Sequence, residues 1–342
     1  MYNRPRIDDV AKAAGVSSAT VSRALSQPDQ VRQATRDKVQ RAVAQLRYVP
    51  DAAGRALASG RTRTVGCVIP TLDHAIFARS THALQIALAQ AGYQLLVASH
   101  NYDPDTELEL VRALQQRGVD ALVLVGAEHH RQVWKELDAW RNPVLLTWAC
   151  DARLPSVGFD NEAIGALAAR HLIDLGHRRI AMISGRIEHN DRARARLKGL
   201  RSTLATAGLP LPLDAVTEQP LNISGGRLGL IELMKAKLPP TAVLCGNDLL
   251  ATGALLQAQR QGLAVPQALS ICGIDNHEIA TETNPGLTTV SLPTQDLGRI
   301  TAAQVLAALA GEPIARQSLL PFELLVRGTT AACHPSQMNS AG

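Results

Sequence analysis

The spacing of apolar residues changes character near residue 64. Upstream the spacing is helical: Val10, Ala11 and Ala14 fall at i, i+1 and i+4, and Val39, Val43 and Leu46 recur three or four apart. Side chains so spaced share one face of a helix. The pattern predicts a short first helix, a second that turns Val21 inward, and a third over 33–46 with Thr35 or a neighbour as its cap. Downstream, short runs rich in β-branched residues occupy 64–70, 93–99, 121–126, 143–148, 156–159, 179–184, 242–246, 269–274 and 288–292. Amphipathic stretches such as 83–91, 105–117, 163–175, 192–207 and 249–261 separate most of them. Steady strand–helix alternation predicts parallel sheets covered by helices, and roughly nine or ten strands suit two such lobes better than one. Several runs end on polar residues: Asn101, Asp160-Asn161, Ser184, Asn247-Asp248 and Asp275-Asn276. Ligands of open α/β sheets bind beyond the carboxyl ends of the strands, so these residues predict one facing cleft.

The first two helices are separated by Gly15, which takes a left-handed turn at no steric cost. Ser17 is a suitable N-cap for the second helix, which then presents Ser18, Ala19, Thr20, Ser22 and Arg23. A helix clad in small polar side chains with one guanidinium fits a major groove and reaches base edges and phosphates. This is the pattern of a helix-turn-helix. An ordinary helical hairpin is the alternative, and charge weighs against it. The first 64 residues hold 12 Lys+Arg and 5 Asp+Glu, a balance of +7, whereas the whole chain carries +5. Basic charge gathered on the segment with the motif is the footprint of a phosphate-binding head.

After Pro50, the stretch 51–60 has a cap candidate in Asp51 and a stop in Ser59-Gly60. It is too short and too poor in apolar surface to hold a helix alone, so it reads as a conditional helix or a plain linker. The sequence has no apolar run of about 18 residues, and its start lacks a hydrophobic signal core, which predicts a protein of the cytoplasm without a membrane span. Five scattered cysteines form no CxxC pair, and no histidine cluster has zinc spacing, so neither a disulfide nor a metal is expected. No nucleophile elbow, P-loop or dinucleotide fingerprint appears, and Gly225-Gly226-x-x-Gly229 reads as a helix entry. No catalytic residue and no cofactor are therefore expected.

The ordered set Asp9-Val10-Ala11, Gly15-Val16-Ser17, Thr20-Val21-Ser22-Arg23, Thr35-Arg36 and Tyr48-Val49-Pro50 resembles the lactose-repressor (LacI/GalR) family of bacterial transcription regulators. Leu57-Ala58-Ser59-Gly60-Arg61-Thr62, Gly176-His177-Arg178, Asn247-Asp248, Gly273-Ile274-Asp275 and Leu287-Thr288-Thr289-Val290 extend the likeness from about residue 6 to about 330. The resemblance implies an all-α helix-turn-helix head with a hinge helix, followed by an α/β, two-lobed, periplasmic-binding-protein-like effector domain. The corresponding divisions are 1–50 for the head, 51–63 for hinge and linker, 64–332 for effector binding and dimerisation, and 333–342 for a tail.

Carried onto this chain, the family's DNA contacts fall on Ser17, Ser18, Ala19, Thr20, Ser22, Arg23 and Thr35. Ser18 and Ala19 stand where relatives vary operator choice, Arg23 where a guanine is read, and Ser26 replaces a common Asn. Leu57 matches the hinge leucine that wedges into the minor groove. Gly54 replaces a usual Ala, which weakens the hinge helix by roughly 1 kcal/mol. Effector contacts are expected from Phe77, Trp148, Asp160, Asn190, Arg196, Asn247 and Asp275. Arg196 offers a fork to hydroxyls or a carboxylate, Asp275 accepts from ligand hydroxyls, and Trp148 offers a flat face. Asp160-Asn161 reads equally as ligand contact or hinge, and Asp248 as the cap of the following helix. His74-Ala75-Ile76-Phe77 departs from the family's Asn-Pro-Phe-Phe on the first lobe's wall.

The implied partners are double-stranded operator DNA, a small-molecule effector and a second copy of the chain; the end of the chain has no leucine heptad for a tetramer. A sugar or sugar acid such as gluconate is the first expectation for the effector, and a purine-like corepressor the second. A two-lobed solute-binding module without regulation is the competing class, and the basic head argues against it.

Overall fold

The structure, a computed structural model, describes residues 5–49, 60–73 and 75–334. Leu57, Gly54 and most of the expected hinge helix lie outside the described residues, as do His74 and the end of the tail. Two compact units are separated between Arg63 and Thr64.

In the first unit, α1 (Ile7–Ala14) ends at Gly15 with φ 67°, and Ser17 caps α2 (Ser18–Ser26) by accepting the Thr20 N–H at 3.2 Å. A 3-10 turn at Pro28–Gln30 leads to α3 (Gln33–Leu46). Val10, Ala11, Ala14, Val21, Val39 and Ala42 form the buried core. Two expectations are corrected. The N-cap of α3 is Arg32, without a side-chain bond, and Thr35 stands inside the first turn. The innermost stripe of α3 runs through Val39 and Ala42, with Val43 and Leu46 packed at its edge, because so small a core accepts an alanine where three helices meet.

The second unit contains two six-stranded sheets. Strands β1 (Thr64–Ile69), β2 (Gln94–Ser99), β3 (Ala121–Val125), β4 (Val144–Trp148) and β5 (Ser156–Gly158) build the first lobe. Between them lie α4 (Ala75–Gln90), α5 (Pro104–Gln116) and α6 (Arg131–Ala139). After α7 (Asn161–Asp174), the second lobe takes β6 (Ile180–Ser184), α8 (Asp191–Thr206), β7 (Val216–Glu218), α9 (Ile223–Leu233), β8 (Ala242–Cys245), α10 (Asp248–Arg260), β9 (Ser270–Asp275), the short α11 (Ile279–Glu282) and β10 (Thr288–Ser291). The chain returns through α12 (Thr294–Ala310) to β11 (Gln317–Leu319) and crosses again to β12 (Glu323–Leu325). Strand order is β2-β1-β3-β4-β5-β11 in one sheet and β7-β6-β8-β9-β10-β12 in the other. All pairings are parallel except β10 with β12.

All nine apolar runs became strands, within one or two residues at each end. The three additional strands, β7, β11 and β12, have three residues each, too short to show a period. Helix α7, which carries the first crossover, packs on α8 at unusually close range. A Cβ on Gly165 would fall 2.0 Å from the Arg196 carbonyl oxygen, and one on Gly199 would fall 2.0 Å from that of Glu162. Backbone contact between these helices is what seats Arg196. The Gly225-Gly226 segment enters α9 as expected, and Gly226 is needed for α9 to lie against the Leu250 carbonyl of α10.

Candidate effector pocket and DNA-reading head

Helix α2 owes its exposed face to its short side chains. Ser17, Ala19, Ser22 and Arg23 are exposed, while Ser18, Thr20 and Thr35 are half-buried. Some polar groups are already engaged within the head: Ser18 Oγ donates to Asp8, Ser17 and Thr20 hydroxyls share a bond of 2.9 Å, and Ser26 Oγ donates to the Ser22 carbonyl. Arg23 extends from the last turn of α2 with its guanidinium in solvent.

In the second unit, the carboxyl ends of the strands face a cleft between the two lobes. Six of the seven residues expected to meet an effector, Phe77, Trp148, Asn190, Arg196, Asn247 and Asp275, line it. Asp160 does not. Its exposed carboxylate caps α7, accepting the Ala163 N–H at 2.9 Å. The neighbouring Asn161 is buried instead, and its Oδ1 accepts the Arg196 Nε–H at 3.0 Å while its Nδ2 donates to the Trp148 carbonyl.

Arg196 is 9% exposed, and its Nη1 donates to the Gly246 carbonyl at 2.9 Å and stands 4.0 Å from Asp275 Oδ1. Asp275 Oδ1 is buried without a hydrogen-bond partner. Burial pushes the Asp275 carboxyl well above the usual range, against the pull of Arg196. A buried acceptor left unpaired costs about 1–3 kcal/mol, so this oxygen is satisfied only by a donor arriving in the cleft. Ser184 Oγ, at the end of β6, is also buried, unpartnered and in the lining.

The backbone at these positions is unusual. Tyr102, Trp148, Asp275 and Asn276 have φ of 61°, 71°, 114° and 52°. Left-handed non-glycine residues persist only where their surroundings hold them, and they gather at ligand sites. Here Asp248 is the clamp: its Oδ2 accepts the His277 N–H at 2.7 Å and its Oδ1 accepts the Thr289 hydroxyl at 2.6 Å. Arg327 holds the Asn276 side chain at 2.8 Å. Burial raises the Asp248 carboxyl to about 7. This corrects its expected role. Asn247, with extended backbone, caps α10 by accepting the Leu250 N–H at 2.9 Å, whereas Asp248 is already helical and points inward.

Trp148 is 3% exposed and is met edge-to-face by Phe77 at 5.1 Å and Phe159 at 5.9 Å. It forms a wall of the cleft. Asn190 caps α8 through the Ala193 N–H and donates to the Arg186 carbonyl. Tyr102 had no sequence signal as a contact; Ser184 stood only among the strand-end polar residues, and Asn161 only as one of the Asp160-Asn161 pair. Arg192 had a detectable signal, since it lies four residues before Arg196 and so on the same face of α8. Arg194, between them, is exposed and pairs with Glu128.

A basic helix-turn-helix head and a separate two-lobed unit with a polar cleft define a ligand-binding transcription regulator. The comparisons place it. Residues 6–51 match the family of bacterial regulatory proteins named for lacI, and residues 169–330 match the periplasmic binding protein-like domain. The HTH-type transcriptional repressor CytR of Escherichia coli (strain K12) is 32% identical over 327 residues, covering 95% of this chain and 96% of that protein. The lac repressor dimer bound to operator and the anti-inducer ONPF superposes with a TM-score of 0.86 at 27% identity, over 96% of this chain and 100% of the other. A transcriptional regulator CelR–cellobiose complex gives 0.70 at 29%, over 95% and 100%. The chain belongs to the LacI family of DNA-binding transcriptional regulators, which are not enzymes. Among the described residues no helix is long and apolar enough to cross a membrane.

Proposed function

We propose that this protein is a repressor that binds a near-palindromic operator as a homodimer in the cytoplasm and is controlled by a sugar or sugar acid held in the cleft. The observation that carries the effector reading is the buried, unpartnered Asp275 Oδ1 beside Arg196, facing the cleft. Hydroxyls satisfy such an acceptor, and the guanidinium donates to a further oxygen of the same ligand. Asn190, Asn247 and Ser184 supply neutral polar contacts, and Phe77 and the edge of Trp148 supply apolar contact. The solved relative with cellobiose supports a sugar-class ligand. A purine has less support, because Trp148 is packed edge-to-face rather than offering an open face for stacking.

On DNA, Ala19, Ser22 and Arg23 read the major groove, with Ser17, Ser18, Thr20 and Thr35 against the backbone and Leu57 entering the minor groove. Dimerisation is supported by the apolar exposure of edge strand β2, where Leu96 is 39% and Val97 38% exposed, and of Ile86 on α4. An uncovered apolar edge calls for a partner.

Operator fragments selected from random duplexes by the full chain provide the test. Specific binding should change at least about tenfold with one sugar or sugar acid, the sign separating inducer from corepressor. Arg23→Ala should cost specific binding about 1–3 kcal/mol and non-specific binding far less. Indifference of operator binding to every such ligand would reject the effector reading, and equal loss of both binding modes would reject base reading by Arg23.

A further inference from the structure

We infer that Arg192 is the carboxylate-selecting residue of the cleft, and that the effector is a polyhydroxylated monocarboxylate rather than a neutral sugar. The inference rests on the effector reading above and narrows it. Arg192 is 7% exposed and lines the same cleft as Arg196, one turn earlier on α8. Its place there is built. Asp191 Oδ1 accepts from Arg192 Nη1 at 2.7 Å, and Asp191 Oδ2 accepts the Ala127 N–H at 2.7 Å from the first lobe. The Tyr102 phenol engages the same guanidinium. Gly126 at the end of β3 makes the space, since a Cβ there would lie 2.2 Å from Arg192 Nη1.

The two guanidiniums do not exhaust their donors on the protein. Arg196 commits Nε to Asn161 and Nη1 to the Gly246 carbonyl, leaving Nη2 without a protein acceptor. Arg192 commits Nη1 to Asp191 and meets the Tyr102 phenol, and it lines the cleft with donors to spare among its five. On the other side, Asp275 Oδ1 and Ser184 Oγ are buried and unpartnered. A ligand that satisfies both sets needs a forked anionic acceptor at one end and hydroxyl donors along its length. Arg forks match carboxylates bidentately and gain little from a lone hydroxyl. Asp191 spans from Arg192 to the first lobe, so a carboxylate on Arg192 also bears on the junction between the lobes.

The test is calorimetric titration of the full chain with six-carbon aldonates (gluconate, galactonate, mannonate), their five- and seven-carbon homologues, and the alditol matching each acid. One acid should bind at least about 100-fold more tightly than its alditol, because a site built for a polar group rejects the analogue lacking it. Arg192→Gln should abolish most of that preference, weakening the acid at least about 30-fold while the alditol changes less than about threefold. Arg192→Lys keeps the cation beside Asp191, and therefore the fold, but loses the fork; the acid should fall about tenfold. Equal affinity for acid and alditol, equal losses of both in Arg192→Gln, or no binding by any of these acids would overturn the inference. If a neutral sugar alone binds and shifts operator affinity, the carboxylate assignment fails and the effector reading survives; if no ligand of either kind does so, both fail.

Discussion

The first lobe, with strand order β2-β1-β3-β4-β5-β11, and the second, with β7-β6-β8-β9-β10-β12, repeat one topology, yet they bring opposite chemistry to the cleft they share. The first contributes Ile76, Phe77, Tyr102 and Trp148; the second contributes Ser184, Asn190, Arg192, Arg196, Asn247 and Asp275. The ionisable Arg and Asp groups of the lining therefore all come from the second lobe, which also contributes Met182 and Leu221, while the first contributes aliphatic and aromatic surface with the Tyr102 phenol. The fold sets where a ligand sits, and the residues at the strand ends set what the ligand is. Affinity and selectivity should accordingly come mainly from the second lobe, with the first acting as a cover that excludes water.

The sharpest way to break this asymmetry is Arg196→Leu. It removes the cation nearest Asp275 and strips the donors from Asn161 and the Gly246 carbonyl. Truncating one member of a buried charged pair costs roughly 2–5 kcal/mol, so effector affinity should fall about 100-fold or more by titration calorimetry. A matched Phe77→Leu change on the first lobe should cost no more than about tenfold, since it trims apolar contact alone. Comparable losses from the two would remove the distinction between the lobes.

A second contrast uses the same packing device in each lobe. Gly165 lets α7 meet α8, and Gly298 lets α12 meet α4, where a Cβ would lie 2.1 Å from the Ser80 carbonyl oxygen. Either Gly→Ala change forces a helix pair apart. Overpacking of about 1–3 kcal/mol outweighs the roughly 1 kcal/mol gained in helix propensity, so both variants should lose about 1–2 kcal/mol in denaturant unfolding. Only Gly165→Ala displaces Arg196, so only that variant should lose effector affinity at temperatures where both are folded. Equal affinity losses would mean that helix separation perturbs the cleft as a whole.

Much of the architecture was legible because it depends on periodic patterns. The nine strand runs and the head helices are marked by apolar residues, even three-residue β5, which is buried throughout, whereas β7, β11 and β12 are short, mostly exposed or half-buried and lack an apolar run. At the site, Arg196, Asp275, Asn247, Asn190, Phe77 and Trp148 could be named because each stands in a recognisable motif or at a strand end. Asp160 and Asn161 show the limit. They are adjacent and both polar, and only the start of α7 decides which one caps and which one turns inward. Arg192 illustrates a different one: a basic run normally marks a solvated face, and only the register of α8 separates buried Arg192 and Arg196 from exposed Arg194. The Gly176-His177-Arg178 motif carries no contact with the cleft. Its imidazole is buried between Thr241, Ser270 and the Ala331 carbonyl, so the motif fastens the chain's return to the second sheet.

The smallest effect concerns pH, where buried carboxyls and buried histidines pull in opposite directions. In the second lobe, burial raises Asp248 to about 7 and Asp275 well above the ordinary carboxylate range, so the folded state takes up protons there that the unfolded chain does not. Stability from Asp248 grows as pH falls through about 7, and Asp275 acts in the same direction. In the first lobe, His100 is buried beside Tyr102, neither ring nitrogen reaches a hydrogen-bond partner, and desolvation holds its pKa below the ordinary value of 6.5. The unfolded chain then binds a proton that the folded chain refuses, so stability from His100 is present above about pH 7.5 and is lost as pH falls through the ordinary histidine value. His171, His177 and His277 shift the same way, again with desolvation leading, so total stability sums opposing slopes and the difference between variants is the informative quantity. His100→Leu should melt at about the wild-type temperature or slightly above it near pH 7.5, because it removes an unsatisfied buried polar group. Its advantage should widen between about pH 7.5 and about pH 5.5, as wild-type His100 becomes a growing penalty. A constant difference in Tm across that interval would show that His100 titrates alike in the folded and unfolded chain, and the opposing histidine slope would then rest on His171, His177 and His277.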